Sequence, residues 1–282
     1  MADIKIMSFN VRGLASSEKR IDCFNYIKTK KCHIYCLQDI HCTKATENFI
    51  RTQWGSNECI FSSFSSNSRG VGIFFNSNID FKIHGHISDP DGNYIIADIT
   101  VDNNRFTLIT LYGPNNDCPT FFENLIDKSH QYNNNQLVFC GDFNCVQDVN
   151  LDYHNYKHIN NKKAQEKIAN LKIKYNLIDP FREINPQLKR YSWRKVNPLK
   201  QSRLDYFLIT ENLFSTVNTC SIESSYRSDH SMVILNLTFN KFIKHKPLWK
   251  HNNSLLLDLQ YINSITKKIS EIKAQYAVPI YN

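Results

Sequence analysis

Alternating hydrophobic and polar positions in the first 112 residues predict many short strands and few helices. A serine-capped helix places Ile21, Phe24 and Ile27 on one stripe, and a second, short helix covers residues 44–53. Clusters of Gly, Asn and Asp separate the later strands at spacings that suit hairpins, so this half is predicted to be antiparallel. The predicted strands are 3–10, 33–38, 58–62, 70–76, 80–87, 93–101 and 105–112.

The strand-rich pattern continues to residue 239, with two longer helices predicted over 119–131 and 162–175. An irregular, Asn- and Tyr-rich loop lies before the second of these helices. Residues 195–201 are predicted to join two strands of a hairpin. The strands predicted in this half are 136–140, 190–194, 203–209, 216–222 and 231–239.

Residues 241–282 differ from the rest of the chain in charge and in period. They hold seven lysines and two acidic residues, a net charge of +5 out of +8 for the whole chain. An apolar stripe at a/d spacing predicts an amphipathic helix that packs on downstream sequence or on a second copy of itself. We expect one domain over 1–240 and a basic linker with this helix over 241–282. The stripe consists of Ile262, Ile265, Ile269, Ile272 and Tyr276.

The composition is typical of a soluble globular protein, with 41% hydrophobic and 21% charged residues. No apolar run approaches the ~20 residues of a membrane span, and a strand pattern starts directly after the first residues, so we expect no membrane contact and no secretory signal. Nine scattered cysteines without paired spacing favour a reduced, intracellular protein over a zinc site. Residues 182–203 carry a net charge of +6 on a body that is otherwise acidic. This distribution predicts a local polyanion contact beside a carboxylate-rich site.

Polar side chains recur where predicted strands end. Asp142 and Asn144 follow a buried strand two residues apart, after Gly141 has allowed the backbone to turn. If the chain stays extended there, both side chains point to one side and suit a metal, a water or a phosphate; an ordinary solvated turn is the alternative. Polar residues gathered at one edge of a sheet sandwich form a convergent site. The other strand-end residues are Asn10, Asp39, Asn115, Asp229 and His230.

Three further groups have both a functional and a structural interpretation. Asp39 is either a carboxylate ligand for a hard cation such as Mg²⁺ or a surface residue at a strand end. His230 is either an acid or base oriented by Asp205, or part of a turn cap. Trp193 with Arg194 suits base stacking and phosphate contacts, or the tryptophan is a core residue of a strand.

Six motifs follow one another in the order used by the endonuclease/exonuclease/phosphatase superfamily, which the chain resembles from about residue 3 to residue 239. They are Ser-Phe-Asn10-Val-Arg-Gly-Leu, Gln-Asp39, Tyr112-Gly-Pro-Asn115, Gly-Asp142-Phe-Asn144, Arg203-Leu-Asp205-Tyr and Ser228-Asp229-His230. Within the superfamily, the chain is most similar to the apurinic-type endonuclease domain of LINE-type (non-LTR) retrotransposons. Further motifs carry this narrower resemblance: Asp89-Pro-Asp-Gly-Asn-Tyr-Ile-Ile, Gly-Asp-Phe-Asn-Cys-Val-Gln-Asp148, Tyr191-Ser-Trp, and the tail segment that starts at Pro247-Leu-Trp-Lys.

The resemblance implies an α/β fold, a four-layer sandwich of two mostly antiparallel β-sheets flanked by helices, with the site at one edge. It implies an enzyme that uses Mg²⁺, or Mn²⁺ as a substitute, to nick one strand of double-stranded DNA. The 3′-hydroxyl at the nick would prime reverse transcription by a covalently linked reverse transcriptase in the full-length protein. The domain would act in the nucleus and would be monomeric in isolation.

The resemblance also assigns roles to individual residues. Asn10, Asp39 and Asp229 would lie on the metal side, and Asp142 would activate the attacking water. Asp205 would hold His230 against the scissile phosphate. Asn144 and Tyr112 would orient water or phosphate. The residues expected to contact DNA are Asn115, Ser192, Trp193, Arg194, Lys195, Lys200, Arg203 and Ser228, and the hairpin from 193 to 202 would enter the minor groove.

One residue departs from the family pattern. The metal position is normally Glu, in Gln-Glu-Thr-His, whereas this chain has Asp39 in Gln-Asp-Ile-His. The shorter carboxylate leads us to expect weaker or water-mediated metal binding, since Mg²⁺ keeps several of its waters in proteins. Two other functions stay open at this point: a cellular apurinic or phosphoesterase enzyme of the same superfamily, and a DNA-binding module that has lost catalysis.

Overall fold

The computed structural model describes residues 2–55, 58–156, 160–239 and 257–276. The chain divides into two compact units, Met1–Lys241 and Phe242–Asn282. None of the helices in the described ranges has the length and apolar character needed to cross a bilayer.

The first unit consists mainly of strands, as the alternating pattern predicts. In chain order the described strands are β1 (Ala2–Asn10), β2 (Ile34–Gln38), β3 (Cys59–Ser62), β4 (Val71–Phe75), β5 (Phe81–Ser88), β6 (Tyr94–Val101), β7 (Asn104–Tyr112), β8 (Leu137–Asp142), β9 (Tyr153–His154), β10 (Leu177–Ile178), β11 (Trp193–Lys195), β12 (Lys200–Ser202), β13 (Asp205–Thr210), β14 (Val217–Glu223) and β15 (Met232–Phe239). The described α-helices are α1 (Ser17–Lys28), α2 (Glu47–Trp54), α3 (Pro119–Ser129), α4 (Val149–Asp152), α5 (Lys162–Lys174), α6 (Pro180–Ile184) and α7 (Leu259–Tyr276), and the 3-10 turns are Lys44–Thr46, His130–Tyr132 and Glu211–Thr216.

Two six-stranded sheets form the body of the described first unit, in the orders β14-β15-β1-β2-β4-β3 and β10-β13-β8-β7-β6-β5. Each sheet has a single parallel pair, β1 with β2 and β7 with β8, and every other pairing is antiparallel. This architecture confirms the predicted sandwich of two mostly antiparallel sheets.

Three apolar layers hold the sandwich together because strand side chains alternate between the two faces of each sheet. The middle layer lies between the sheets and includes Ile73 and Leu108. A second layer packs α1 and α2 on the outer face of the first sheet, with Trp54 among its aromatic residues. The third packs α3 and α5 on the outer face of the second sheet. Helix, sheet, sheet and helix give the four layers.

The two parallel pairs bring the polar strand ends to one edge of the sandwich. Within the first sheet, Asn10 ends β1 beside the end of β2, and Asp39 follows directly. Within the second sheet, Asp142 ends β8 opposite Tyr112 of β7 on one side and opposite Asp205 of β13 on the other. The register therefore predicts a convergent site at this edge.

The hairpin differs in detail from the sequence prediction. Strands were expected over 190–194 and 203–209, joined by 195–201, whereas the hairpin strands are β11 and β12 and they pair with β9 as a separate three-stranded sheet. β13 belongs instead to the large second sheet, because its fully buried pattern requires apolar neighbours on both faces.

In the second unit, the apolar stripe predicted a helix, and α7 is present over Leu259–Tyr276. Ile265, Ile269 and Ile272 are between 43% and 48% exposed. The tail motif that starts at Pro247 lies outside the described residues.

Candidate active site

Asp142 lies at the end of β8, where two glycines allow backbone segments to approach closely. Gly141 has φ +150°, and a Cβ at this position would collide with the carbonyl oxygen of Leu111 on β7. Gly113 lies against the Phe143 backbone and donates its N–H to the Asp142 carbonyl at 2.6 Å. Because neither glycine has a Cβ, the ends of β7 and β8 can approach this closely, and no larger residue would fit at either position.

The Asp142 carboxylate is almost fully buried and accepts a hydrogen bond on each oxygen. Asn10 Nδ2 donates to Oδ2 at 2.9 Å, and the Asn144 backbone N–H donates to Oδ1 at 2.9 Å. The second bond requires the turn at Asn144, which has φ +51°, a left-handed conformation that asparagine tolerates well. The carboxylate is therefore fixed by residues from both sheets.

His230 lies between two carboxylates. Its Nδ1 is 2.8 Å from Asp205 Oδ2, and its Nε2 is 3.8 Å from Asp142 Oδ2. The Ser192 hydroxyl donates to the same Asp205 oxygen at 2.7 Å and accepts the backbone N–H of Asp205 at 2.9 Å. Asp205 is thus anchored in the second sheet and holds the imidazole with its Nε2 on the side of Asp142.

The protonation of this group follows from burial and from close charges. Burial raises the pKa of Asp142, and the neighbouring Asp205 raises it further, so that it lies at about 7 although His230 opposes the shift. Burial lowers the pKa of His230, but the Asp205 and Asp142 carboxylates outweigh burial and raise it to about 9. At neutral pH the imidazolium is therefore the dominant form of His230, and it balances part of the carboxylate charge.

Asp39 and Asp229 approach the same cleft from the first sheet and from the turn before β15. Asp39 has φ +53°, and its Oδ1 accepts the Arg69 backbone N–H at 2.9 Å and contacts His41 Nε2 at 3.1 Å. Asp229 Oδ2 accepts the Trp193 indole N–H at 3.2 Å, whereas its Oδ1 is buried and has no hydrogen-bond partner in the described structure. An unpaired buried carboxylate oxygen is costly unless a cation or water satisfies it.

The cleft that these residues surround is open, polar and about 670 Å³ in volume. Tyr112 lines the cleft together with Asn115 and Asn144. Burial raises the pKa of Tyr112 to about 12, with a further contribution from Asp142. The phenol therefore stays protonated and is a hydrogen-bond donor.

All the predicted catalytic and metal-side residues except Asp205 line this cleft directly, and Asp205 lies just behind His230. Asn144 has a more structural contact than expected, because its Nδ2 donates to the Gly113 carbonyl at 2.7 Å. The members that line the cleft are Asn10, Asp39, Tyr112, Asp142, Asn144, Asp229 and His230.

The residues predicted to contact DNA divide into surface and buried positions. Arg194 and Lys195 are exposed on the hairpin, and Trp193 lies at the rim of the cleft. Lys200 pairs with Lys195 across the hairpin and places its ammonium 5.3 Å from the centre of the Tyr156 ring. Ser228 donates its hydroxyl to the Asn10 carbonyl at 2.8 Å and so ties two walls of the cleft together.

Two of the predicted DNA contacts are wrong because their side chains are buried. Arg203 is 0% exposed and is enclosed by Asp152, which accepts at 2.8 and 3.0 Å, and by Asp179, which accepts at 2.6 Å. Ser192 is 1% exposed, and its hydroxyl is used by Asp205. Arg203 stabilises the fold beneath the site, and Ser192 positions the Asp205–His230 pair.

Sequence reasoning missed several residues that line the cleft. Arg12 follows Asn10 in the first motif, so its position alone was a signal that could have been used. Leu204 lies within the Arg203-Leu-Asp205-Tyr motif, and the four remaining residues come from the irregular Asn- and Tyr-rich loop and had no periodic pattern to identify them. They are Tyr153, Tyr156, Asn160 and Asn161, of which Tyr153 and Tyr156 stack with ring centres 4.4 Å apart.

The model of the endonuclease/exonuclease/phosphatase family matches residues 7–230, which span the strand ends described above. The chain belongs to this family. The sandwich fold agrees: the AP endonuclease LMAP from Leishmania major superposes with a TM-score of 0.68 at 16% identity, over 84% of this chain and 88% of that protein.

Curated relatives of this family member include two proteins of different length. The chain is 22% identical over 269 residues to the Transposon TX1 uncharacterized 149 kDa protein of Xenopus laevis, covering 93% of this chain and 20% of that protein. It is 26% identical over 265 residues to an exodeoxyribonuclease of Bacillus subtilis, covering 82% of this chain and 98% of that enzyme. The chain thus spans about a fifth of the transposon protein and nearly all of the exodeoxyribonuclease.

Proposed function

We propose that this chain is a divalent-metal-dependent DNA endonuclease that nicks one strand of duplex DNA and leaves a 3′-hydroxyl. The observation that carries the proposal is the placement of Asp142 beside the Asp205–His230 pair at the base of an open polar cleft. Phosphoryl transfer depends mainly on positioning and on neutralising charge, and this cleft offers both.

The cleft favours direct attack by water over a covalent mechanism. Among the described residues that line it, none is Ser, Thr, Cys or Lys, and the protonated His230 and the Tyr112 phenol, whose pKa is about 12, are poor nucleophiles. Asp142 accepts the proton of the attacking water. Its raised pKa, about 7, suits a general base that works near neutral pH.

His230 supplies positive charge where the phosphate becomes more negative. The bond from Nδ1 to Asp205 fixes the ring, so the proton on Nε2 faces the cleft beside Asp142. The Tyr112 hydroxyl offers a second donor in the same cleft. Donors fixed in advance at developing charge are each worth about 10²–10³ in rate.

The residues present fit a hard divalent cation. Asn10, Asp39 and Asp229 offer amide and carboxylate oxygens to one cleft, and the unpartnered Asp229 Oδ1 is the atom that a cation would satisfy. Asp142, Asp205 and His230 also cluster within 4.8 Å, but Asp205 Oδ2 is already used by His230 Nδ1 at 2.8 Å and by the Ser192 hydroxyl at 2.7 Å, so we assign this second group to proton transfer. When bound, Mg²⁺ or Mn²⁺ would neutralise charge on the phosphate.

The hairpin of β11 and β12 is the proposed DNA contact. Lys195 and Lys200 are opposite each other, and like charges so placed destabilise a strand pair unless an anion approaches. Arg194 adds a third cation, and it is exposed, as is Lys195, whereas Lys200 is half-buried. Their position next to Trp193 and the cleft suits insertion into the minor groove beside the scissile phosphate.

The setting proposed for this activity is a LINE-type retrotransposon. Similarity over 93% of the chain to a transposon protein about five times longer supports a covalently linked reverse transcriptase in the full-length protein. The 3′-hydroxyl at the nick would then prime reverse transcription in the nucleus.

The experiment is incubation of supercoiled plasmid with purified protein in Mg²⁺, in Mn²⁺ and in EDTA. We expect open-circular product with either metal and none in EDTA, and a DNA polymerase should extend the nick without prior phosphatase treatment. Cutting confined to abasic sites, or shortening from 3′ ends without nicking, would instead assign a repair or exonuclease activity such as that named for the Bacillus subtilis relative.

A further inference from the structure

The walls of the cleft carry an unusual balance of charge for a site that receives a polyanion. Asp39, Asp142 and Asp229 contribute three carboxylates. Among the described residues that line the cleft, Arg12 is the one lysine or arginine. The positive charge of His230 is paired with Asp205, and a bound cation would offset only part of the repulsion of an incoming phosphate, so the single guanidinium carries particular weight.

The backbone at Arg12 is held in an unusual conformation by hydrogen bonds on both sides of the residue. Arg12 follows the end of β1 with φ +49°, in the left-handed region that arginine rarely adopts. Its N–H donates to Asn10 Oδ1 at 3.0 Å, and its carbonyl accepts Lys19 Nζ at 2.6 Å. Local strain retained at a cleft in this way is common at functional positions.

The guanidinium itself is held loosely. Its Nη1 lies 3.3 Å from Asp229 Oδ2, and its side chain is 66% exposed. Exposed ion pairs of this kind contribute little stability. Asp229 Oδ2 keeps the Trp193 indole N–H if the arginine leaves. The Arg12 guanidinium can therefore leave the Asp229 carboxylate and bind another anion at a small cost in free energy.

We propose that Arg12 binds a phosphate of the DNA strand that is cut, and that its pair with Asp229 is the resting state of the free enzyme. This inference rests on the function proposed above. The planar guanidinium can donate two parallel hydrogen bonds to a phosphodiester, which a lysine cannot do. Arg12 would then touch the substrate next to Asn10 and is a catalytic residue of this cleft.

A simpler role would be to orient Asp229 without touching DNA. The two roles differ in their salt dependence, because each phosphate contact that is lost reduces the slope of log K against log salt by about 0.9. An orienting arginine would leave that slope unchanged and would alter only the concentration of metal needed for activity.

The test measures duplex affinity by fluorescence anisotropy in EDTA, where no strand is cut, from about 50 to 200 mM salt. The proteins compared are wild type, Arg12→Ala, Arg12→Lys and the control Lys82→Ala, which removes one exposed positive charge on β5 outside the cleft. Single-turnover nicking in Mg²⁺ follows as a second readout, and urea unfolding confirms that each variant is folded.

We expect Arg12→Ala to bind about five- to tenfold more weakly at 0.1 M salt with a slope smaller by about 0.9, and Lys82→Ala to match wild type. Arg12→Lys should recover the slope but not the nicking rate, which should fall about 10²-fold in both Arg12 variants. An unchanged slope in Arg12→Ala would overturn the proposal, whether or not nicking is lost. If wild type binds duplex but never nicks it, the proposed function fails while the binding result for Arg12 still stands.

Discussion

A substitution of Arg203 tests whether its positive charge, which lies in the basic segment 182–203, contributes to DNA binding or to the stability of the fold. Replacing Arg203 by Met keeps the length of the side chain but leaves Asp152 and Asp179 without their shared cation. Breaking one partner out of a buried ion pair costs about 3–5 kcal/mol in free energy of unfolding. The expected loss is therefore a large fraction of the stability of a typical domain.

The contacts that survive place the estimate at the lower end of this range. Asp152 keeps Arg182 at 2.7 Å and two backbone N–H donors, and Asp179 keeps its capping bond to the Arg182 backbone. A loss of about 3 kcal/mol lowers the melting temperature of a domain of this size by about 6–12 °C. Urea unfolding should show a lower midpoint with an unchanged slope m.

DNA binding, unlike the free energy of unfolding, should hardly change. Below its melting temperature, Arg203→Met is expected to bind duplex within about twofold of wild type and with the same salt slope, because a buried guanidinium releases no counterions from DNA. A variant that kept its stability within about 1 kcal/mol but lost salt dependence would refute the structural assignment and restore the DNA contact that sequence predicted.

Three further variants test other parts of the account. Asp205→Asn should lower the His230 pKa from about 9, and NMR titration of the imidazole measures this change. The stability that the Asp205–His230 pair contributes is fully present below pH 6.5 and is lost as the pH rises through about 9. Urea unfolding of variant and wild type should therefore differ at pH 6 and converge above pH 9. The double variant Lys195→Ala with Lys200→Ala should reduce the salt slope of duplex binding by about 1.8 and leave single-turnover nicking at saturating protein nearly unchanged. Gly141→Ala should unfold at markedly lower urea, since its Cβ meets the β7 backbone; a midpoint equal to wild type would show that the strands can separate without loss.

Period and turn chemistry predicted most of the fold. The hairpins β3–β4 and β5–β6–β7 follow from short alternating strands with Gly, Asn and Asp between them, whereas β4 and β5, expected to continue the same run of hairpins, lie in different sheets. The helix α1 was placed correctly by its serine cap, and Phe24 and Ile27 of its stripe are buried, but Ile21 is 45% exposed and Arg20 is buried instead. Which of these two adjacent positions is buried depends on the side chains that α2 and the first sheet present, and these contacts are not local in sequence.

The site was predictable where a strand end fixed the direction of a side chain. Asp142 and Asn10 lie in different sheets and are 132 residues apart in sequence. They meet because each ends a strand of a parallel pair, so predicting their contact required the sheet topology as well as the motifs. Arg203 was misassigned because charge in sequence says nothing about burial. Its main partner, Asp152, comes from the Asn- and Tyr-rich segment, where no hydrophobic periodicity indicated a structure, so the ion pair could not be predicted from the sequence.

The most direct test of the proposed chemistry is the single-turnover nicking rate of Asp142→Asn in Mg²⁺, compared with wild type at equal DNA occupancy. The amide keeps the shape of the carboxylate but cannot accept the proton of water. We predict duplex affinity within about twofold of wild type and a rate lower by about 10²–10⁴. A folded Asp142→Asn protein that nicks within tenfold of wild type would contradict the role of Asp142 as the base in this cleft.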